Sequence, residues 1–532
     1  MRKLLLASAA MLGATSGLAM AQAPFNPTQG QMVSPGNPIT PSSSFDMQNA
    51  TGRPSTYVGG VGWNPLAVPA PGTVVIHLGG KVEIDLTSTW TTNNQAFLAT
   101  VAAPVAAGTA VSAAGTVGTA PAVINQKVNP IAFGSFMRLY PGVDGMATNG
   151  LRYGASVEFR ENFPGSGAQP LPQIGALGQT AAAPTASAYS SGQTVFVRRA
   201  FAYLANDNLG ILRMGNSDGV IGLFDNGTFS AQNYDAGAGN FNGGPLQGES
   251  ATGAMAIPFA WLAQAGAEYG NTKAVYLSPQ FFGLDFAVQY APSMGNGNSG
   301  CTTAGNTGCT ALTSGSDGTR WYNQVAAGVR YQGVFGPVGI GAYAMYETAG
   351  KESVTSPGGG AVSFARNGAG TAYDNLSFIQ AASYVALTTG VGKFTLSGDY
   401  IGGALNNSGQ LAMRPTGGAS ENAELVGLLY NNGPITLEAE AGLIVSQGAP
   451  QLTAVSQRRE MEAAFGGNYN LAPGLYLVGE YMYCFRHQAG FDFIGNGLGA
   501  GSSGAVGTSA WKAGATRDAH GQGVMFSTVV NW

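Results

Sequence analysis

The sequence predicts an all-β protein, a transmembrane antiparallel β-barrel of about 16 strands with short turns at one end and long loops at the other. Three observations lead to this prediction. Only 9% of the 532 residues are charged, whereas roughly 25% is usual in soluble proteins. Beyond residue 21 no segment offers the ~20 consecutive apolar residues that a membrane helix needs. Segments in which apolar and polar residues alternate recur from residue 73 to the end of the chain.

The alternation has the period of a β-strand, in which successive side chains point to opposite faces. In the first strand Val74, Ile76 and Leu78 share one face, and polar residues such as His77 and Lys81 share the other. A strand of a lipid-facing barrel needs only about 10 residues with every second one apolar. The final strand follows the same pattern, with its apolar face formed by Val524, Phe526, Thr528, Val530 and Trp532.

Short turns and long polar links alternate along the chain. A soluble β-sandwich would also show strand alternation, but it would not explain this asymmetry, which is typical of transmembrane barrels with short periplasmic turns and long extracellular loops. An even strand number then places both termini on the periplasmic side. The stretches 96–126 and 254–271 could each contain a further strand. The predicted turns lie at 141–150, 206–208, 279–283, 334–337, 388–392, 431–434 and 470–474, and the links at 91–126, 162–192, 219–271, 292–319, 349–374, 402–420, 447–457 and 487–520.

Three regions divide the chain. Residues 1–21 begin with Arg2 and Lys3, continue with an apolar run and end in Ala19-Met20-Ala21, the pattern of a cleaved secretory signal peptide. Residues 22–72 are rich in Pro, Gly and Asn and are predicted to be a periplasmic extension. Residues 73–532 form the barrel, which we expect in the cell outer membrane. The net charge is −4 without any basic run, so nucleic acid is not a plausible partner.

Cysteine and histidine residues exclude most catalytic chemistry. Cys301 and Cys309 lie close together in a Gly/Thr/Asn-rich segment. An exported protein meets an oxidising compartment, so we expect a disulfide between them, with two free thiols as the alternative. The histidines are His77, His487 and His520. They show neither metal-ligand spacing nor an obvious nucleophile, so we predict no catalytic residue, no metal, no cofactor and no enzyme activity.

Several segments together resemble the Gram-negative general-diffusion porins, an outer-membrane family. The resemblance is carried by Arg198–Leu204, Leu209–Gly215, the Ser278-Pro279-x-Phe281-x-Gly283 turn, Val288–Ala291 and the terminal Trp532. It implies a homotrimer of sixteen-stranded barrels in outer-membrane lipid, each a water-filled channel for passive diffusion of ions and small hydrophilic solutes. It also implies that Trp532 is an assembly signal for the barrel-insertion machinery. The long N-terminal extension and Ala-rich first loop depart from the family, and a channel selective for a sugar or an organic acid is the alternative.

The resemblance further implies that the third long loop, residues 219–271, folds into the lumen as a constriction. A cationic wall facing an anionic loop would create a transverse field across the water path; alternatively, the charges only solvate the lumen and pair among themselves. Whether Arg198 or Arg199 faces the lumen is left open by the alternation. Because later strands add Glu438, Glu440, Glu460, Glu462 and Glu480, we expect a weak cation preference. The predicted basic wall comprises Lys81, Arg138, Arg152, Arg198 and Arg213, and the predicted acidic loop carries Asp218, Asp225, Asp235 and Glu249.

Overall fold

The structure is a computed structural model of the 532-residue chain. It describes residues 32–34, 37–39, 70–91, 95–101, 122–127, 131–162, 195–206, 209–217, 219–224, 272–279, 281–293, 321–351, 354–355, 361–362, 373–406, 413–448, 456–472, 474–492, 497–498 and 518–532.

Sixteen antiparallel strands form one closed barrel. The strands are β1 (Thr73–Thr91), β2 (Ile131–Met146), β3 (Arg152–Asn162), β4 (Val195–Asn206), β5 (Gly210–Asn216), β6 (Thr272–Leu277), β7 (Leu284–Ser293), β8 (Trp321–Phe335), β9 (Val338–Lys351), β10 (Leu376–Thr389), β11 (Gly392–Ala404), β12 (Glu421–Asn432), β13 (Ile435–Ser446), β14 (Arg458–Ala472), β15 (Leu475–His487) and β16 (Asp518–Asn531). Each strand pairs with its neighbours in the chain, and β16 pairs with β1 to close the barrel. The predicted fold class is therefore confirmed.

The seam between β16 and β1 ends at the terminal residue. The backbone N–H of Trp532 donates to the carbonyl of Gly80, and the N–H of Gly80 donates to that of Trp532, both at 3.1 Å. The indole ring lies against Gly80 so closely that a Cβ there would collide with it. A larger residue at position 80 would therefore displace the Trp532 ring.

The two faces of the wall differ as the alternation predicts. Ile84 and Leu86 of β1 are exposed on the outer face, and Glu83 and Asp85, which alternate with them, are buried on the inner face. The outer face elsewhere carries large exposed apolar side chains such as Phe133, which is 71% exposed. An apolar exterior around a polar interior is the arrangement that a lipid-facing barrel requires.

Six of the seven predicted turns lie between the strands as expected, but the prediction at 141–150 is wrong in extent. β2 continues to Met146, and the turn comprises Ala147–Leu151, with the N–H of Gly150 donating to Ala147. Pro141 and the glycines nearby imitate a turn in sequence. In the structure Pro141 lies within the strand, where pairing with β3 is interrupted between Leu139 and Gly142, because proline has no N–H to donate.

Short two-stranded ribbons lie outside the barrel sheet. The first long loop contains Gln95–Val101 paired with Ala122–Lys127, so the extra strand suspected in 96–126 exists but does not join the barrel. The segment 254–271 lies outside the described residues. Within the described part of the chain, no helix is both long and apolar enough to cross a membrane. The remaining ribbons are Met32–Ser34 with Asn37–Ile39, Val354–Thr355 with Ala361–Val362, and Phe491–Asp492 with Gly497–Leu498.

Candidate pore and lumen wall

The start of the third long loop lies inside the barrel. After β5 the chain forms a short helix, α1 (Val220–Phe224), which packs against β7, β8 and β9. The N–H of Val220 donates to the Oε1 atom of Gln289 on the inner face of β7 at 2.5 Å. Val220, Ile221, Leu223 and Phe224 are all buried. The described start of the loop, residues 219–224, therefore leaves β5 and lies on the inner face of β7, β8 and β9.

A buried arginine on β8 holds the end of α1. Arg330 is 1% exposed, and its Nη2 atom lies 2.9 Å from Oδ2 of Asp285 on β7. Its Nη1 atom donates to the carbonyl of Leu223 at 3.4 Å, and its guanidinium lies 5.0 Å from the ring centre of Phe224. The Phe224 ring also contacts that of Tyr343, with centres 5.7 Å apart. We call Gln289, Arg330, Asp285 and Tyr343 the loop anchor.

Arg330 has a carboxylate, a backbone carbonyl and an aromatic ring as partners. A buried charge is tolerated when it is paired and hydrogen-bonded, and guanidinium planes stack on aromatic rings. Tyr343 in turn donates to Asp399 at 3.1 Å. It is therefore part of a packed polar network rather than a free aromatic surface along which a solute could stack.

The structure describes the side chains of only some residues of the predicted basic wall. Arg152 and Arg213 are buried on the inner face, and the Arg213 guanidinium lies 5.0 Å from the ring centre of Phe201. The backbone register puts Lys81 opposite Arg138 and Arg138 opposite Arg160. Their side chains lie outside what the structure describes. Three basic positions thus form one row across β1, β2 and β3.

The register also bears on the choice between Arg198 and Arg199. Arg199 lies opposite Glu158, which is buried on the inner face, and the pairing then shifts so that Val197 lies opposite Phe159. Arg198 falls in this irregularity. The side chains of Arg198 and Arg199 lie outside what the structure describes, so the inclusion of Arg198 in the basic wall stays a prediction. The bulge itself could not be read from the sequence.

The acidic half of the predicted constriction lies outside the described residues. This applies to Asp218, Asp225, Asp235 and Glu249, and equally to Cys301 and Cys309. Cys484 is described, and it is a buried thiol on β15 that is not in a disulfide. The acidic residues expected on the later strands are buried on the inner face: Glu438, Glu440, Glu460, Glu462 and Glu480.

Sequence reasoning missed several polar residues of the inner wall. Arg330, Asp285 and Gln289 follow the strand alternation and could have been placed inside on that signal. Asp144 accepts a hydrogen bond from Tyr203. It was missed because residues 141–150 were predicted to be a turn rather than part of β2. Among the described residues, no group of three or more His, Cys, Asp or Glu side chains could hold a metal ion.

The family is decided by comparison with known proteins. The profile described as Gram-negative porin matches residues 95–486, which is well over half of the chain. This chain belongs to the Gram-negative porin family. Porins are channels of the outer membrane rather than enzymes, so an outer-membrane channel is the function at family level.

Solved porins resemble this porin at low sequence identity. The anion-selective porin from Comamonas acidovorans is 14% identical, with 86% of this chain and 100% of that chain covered and a TM-score of 0.43. The DcaP channel of Acinetobacter baumannii is 11% identical, with coverages of 89% and 100% and a TM-score of 0.43. OmpT of Vibrio cholerae, in a trimer form, is 12% identical, with coverages of 86% and 100% and a TM-score of 0.42. A comparison with curated proteins finds no match.

Proposed function

We propose that this porin is a water-filled channel for the passive diffusion of ions and small hydrophilic solutes, with a weak preference for cations. The observation that carries the proposal is the packing of α1 on the inner wall, because it brings the start of the third loop, residues 219–224, into the lumen. The segment 219–271 then narrows the water path. Charges on the loop and wall act on solutes within the constriction rather than in a wide vestibule.

The cation preference is supported by the charges of the inner wall. Among the residues whose side chains the structure describes, buried acidic residues outnumber buried basic ones: the acidic residues are Glu83, Asp85, Asp144, Glu158, Asp285, Glu347, Asp399, Glu421, Glu438, Glu440, Glu460, Glu462 and Glu480, and the basic ones are Arg152, Arg213, Lys273, Arg330 and Arg458. A lumen lined mostly by one sign of charge raises the local concentration of the opposite ion. Basic residues on β3 and β5 moderate this excess, so the preference is expected to be weak.

A channel selective for a sugar or an organic acid remains the second candidate, but no specific observation favours it. A row of accessible aromatic rings in the lumen would favour a sugar channel. Tyr343, however, packs against Phe224 and donates a hydrogen bond to Asp399.

Assembly and export complete the proposal. We infer a signal peptide at 1–21, a periplasmic extension at 22–72, a homotrimer in outer-membrane lipid, and a role of Trp532 in recognition by the insertion machinery. The trimer form of Vibrio cholerae OmpT supports the oligomeric state.

Planar-bilayer recording tests the function. In a potassium chloride gradient, the reversal potential should show a small excess of cation current that falls as salt rises, because exposed charges are screened over about 10 Å at 0.1 M. Replacing Asp225 and Asp235 by Asn should shift the reversal potential toward anions, and replacing Arg138 and Arg213 by Gln should shift it toward cations. A purified protein that forms no ion-conducting pores contradicts the proposal.

A further inference from the structure

A short ribbon of the N-terminal extension lies against the barrel. Met32–Ser34 pairs with Asn37–Ile39 in an antiparallel ribbon, and Met32–Ser34 contacts β8. We call these two segments the N-terminal ribbon. A single two-stranded ribbon is at best marginally stable in water and needs a surface to pack on. The face of β8 that supplies this surface decides what the ribbon does.

The exposure of the β8 side chains limits where the ribbon lies. Val325 and Val329 on the outer face are 45% and 55% exposed, and Val334 at the turn end is 44% exposed. A ribbon packed on the outer face or across the turn end would cover these side chains. On the inner face, Gln324 and Gln332 are 0% and 3% exposed. The exposure pattern therefore favours the lumen side of β8.

The route of the chain leads to the same side. Thr73, the first residue of β1, lies at the turn end of the barrel, opposite Met146. Residues 40–72 join the ribbon to Thr73 and can span roughly 110 Å when extended. A tether that ran up the outside would expose unpaired backbone N–H and C=O groups to lipid, which is energetically costly. Inside the barrel these groups meet water, so the lumen is the path that the tether can follow from the turn end.

The composition of the segment suits a lumen lined with charges of both signs. From Gln22 to Phe45 the chain contains no Asp, Glu, Lys, Arg or His. Such a segment can lie beside the inner wall without burying an unpaired charge of its own. A neutral ribbon binds weakly by itself, but its tether keeps it at an effective concentration in the millimolar range. The contact is therefore favoured by the covalent link and still reversible.

We propose that the N-terminal ribbon is an autoinhibitory insert of the pore, held on the inner wall of β8 by its tether. It occupies part of the cross-section of the lumen, and the pore conducts fully when the ribbon leaves. The inference rests on the proposed diffusion function, to which it adds a means of regulation within the chain itself.

The test compares the single-channel conductance of the wild type and two deletion variants in planar bilayers. Deleting residues 24–42 removes the ribbon. A two-stranded ribbon is ~10 Å across, so conductance should rise by roughly half or more. The matched control deletes the same length of chain, residues 47–65, and keeps the ribbon. Its shorter tether still spans roughly 46 Å when extended, so this variant should conduct as the wild type does.

A second measurement avoids any effect of a deletion on assembly. A sequence-specific protease site replaces residues 55–60, and the protease is added after the pore has inserted, to each side of the bilayer in turn. Cutting separates the ribbon from the barrel, so its effective concentration falls. The conductance of the same pore should then step up by the same factor as in the 24–42 deletion.

The outcomes separate the ribbon from the channel itself. Conductance that changes neither with the 24–42 deletion nor with the cut overturns the autoinhibitory insert and leaves the diffusion function standing. An equal rise in the 47–65 deletion overturns it as well, because that chain keeps the ribbon. If neither the wild type nor the 24–42 deletion forms pores, the diffusion function is overturned.

Discussion

Replacing Arg330 by Met tests the loop anchor. The Nη2–Oδ2 distance of 2.9 Å to Asp285 corresponds to a gross attraction of about 6 kcal/mol at an effective dielectric constant near 20. Much of this attraction offsets desolvation, so the net cost of Arg330→Met is set by the carboxylate left buried and alone. That cost is about 3–5 kcal/mol of unfolding free energy.

Urea unfolding of the detergent-solubilised barrel, followed by tryptophan fluorescence, measures this loss. The matched control is Arg414→Met, which removes a pair of similar length, 2.7 Å to Asp374, whose side chains are 23% and 27% exposed. A partly exposed pair contributes about 1 kcal/mol or less. If both variants unfold at the same urea concentration, the buried pair is not the anchor described above.

A double variant distinguishes electrostatics from anchoring. Arg330→Met combined with Asp285→Leu leaves no lone charge, so most of the lost stability should return. Single-channel current should nevertheless fluctuate more than in the wild type, because no guanidinium remains to hold the carbonyl of Leu223. A double variant as unstable as Arg330→Met, or one with wild-type current noise, would refute the reasoning.

Three further predictions concern the loops and the seam. Deleting residues 225–250 should raise conductance and the solute size limit while the barrel stays folded, since the strands keep their own hydrogen bonds; unchanged conductance would show that this loop is not the constriction. Reduction should add two hydrogens to the intact mass if Cys301 and Cys309 are bridged, and an unchanged mass would mean free thiols. Gly80→Ala should displace the Trp532 ring and, like deletion of Trp532, lower the yield of folded, heat-modifiable protein without altering the conductance of surviving pores. Normal yields from both variants would contradict a role of this contact in assembly.

Strand alternation was sufficient to predict the barrel because each strand has one face toward lipid and the other toward the lumen. Ile84 beside Asp85 can be sorted by polarity alone. The error in the extent of the first turn arose where local sequence does not determine backbone register. Pro141 looks like a turn residue, yet it is accommodated where the pairing of β2 with β3 is interrupted. The shift beside Arg198 leaves no mark on the pattern of residue types.

The loop anchor could not be predicted from the sequence for a different reason. Arg330 and Leu223 are separated by 107 residues in the chain, and they meet because α1 packs on the inner face of β7, β8 and β9. Alternation can place Arg330 on the inner face, but it cannot predict which loop segment contacts it there. Contacts between a loop and strands further along the chain depend on barrel geometry rather than on any local motif.

The seam between β16 and β1 has a consequence for how the barrel is made. Every other pairing joins strands that follow one another in the chain, so those hairpins can form early from local contacts. Ser527 and Asp85, which meet across the seam, are 442 residues apart, and closing a flexible loop of that length directly would cost about 5 kcal/mol in chain entropy. A curved sheet of finished hairpins brings its two edges together at far lower entropic cost. Closure is therefore expected to be the last folding step, and a chain interrupted before residue 518 would keep two open edges that invite pairing with other chains.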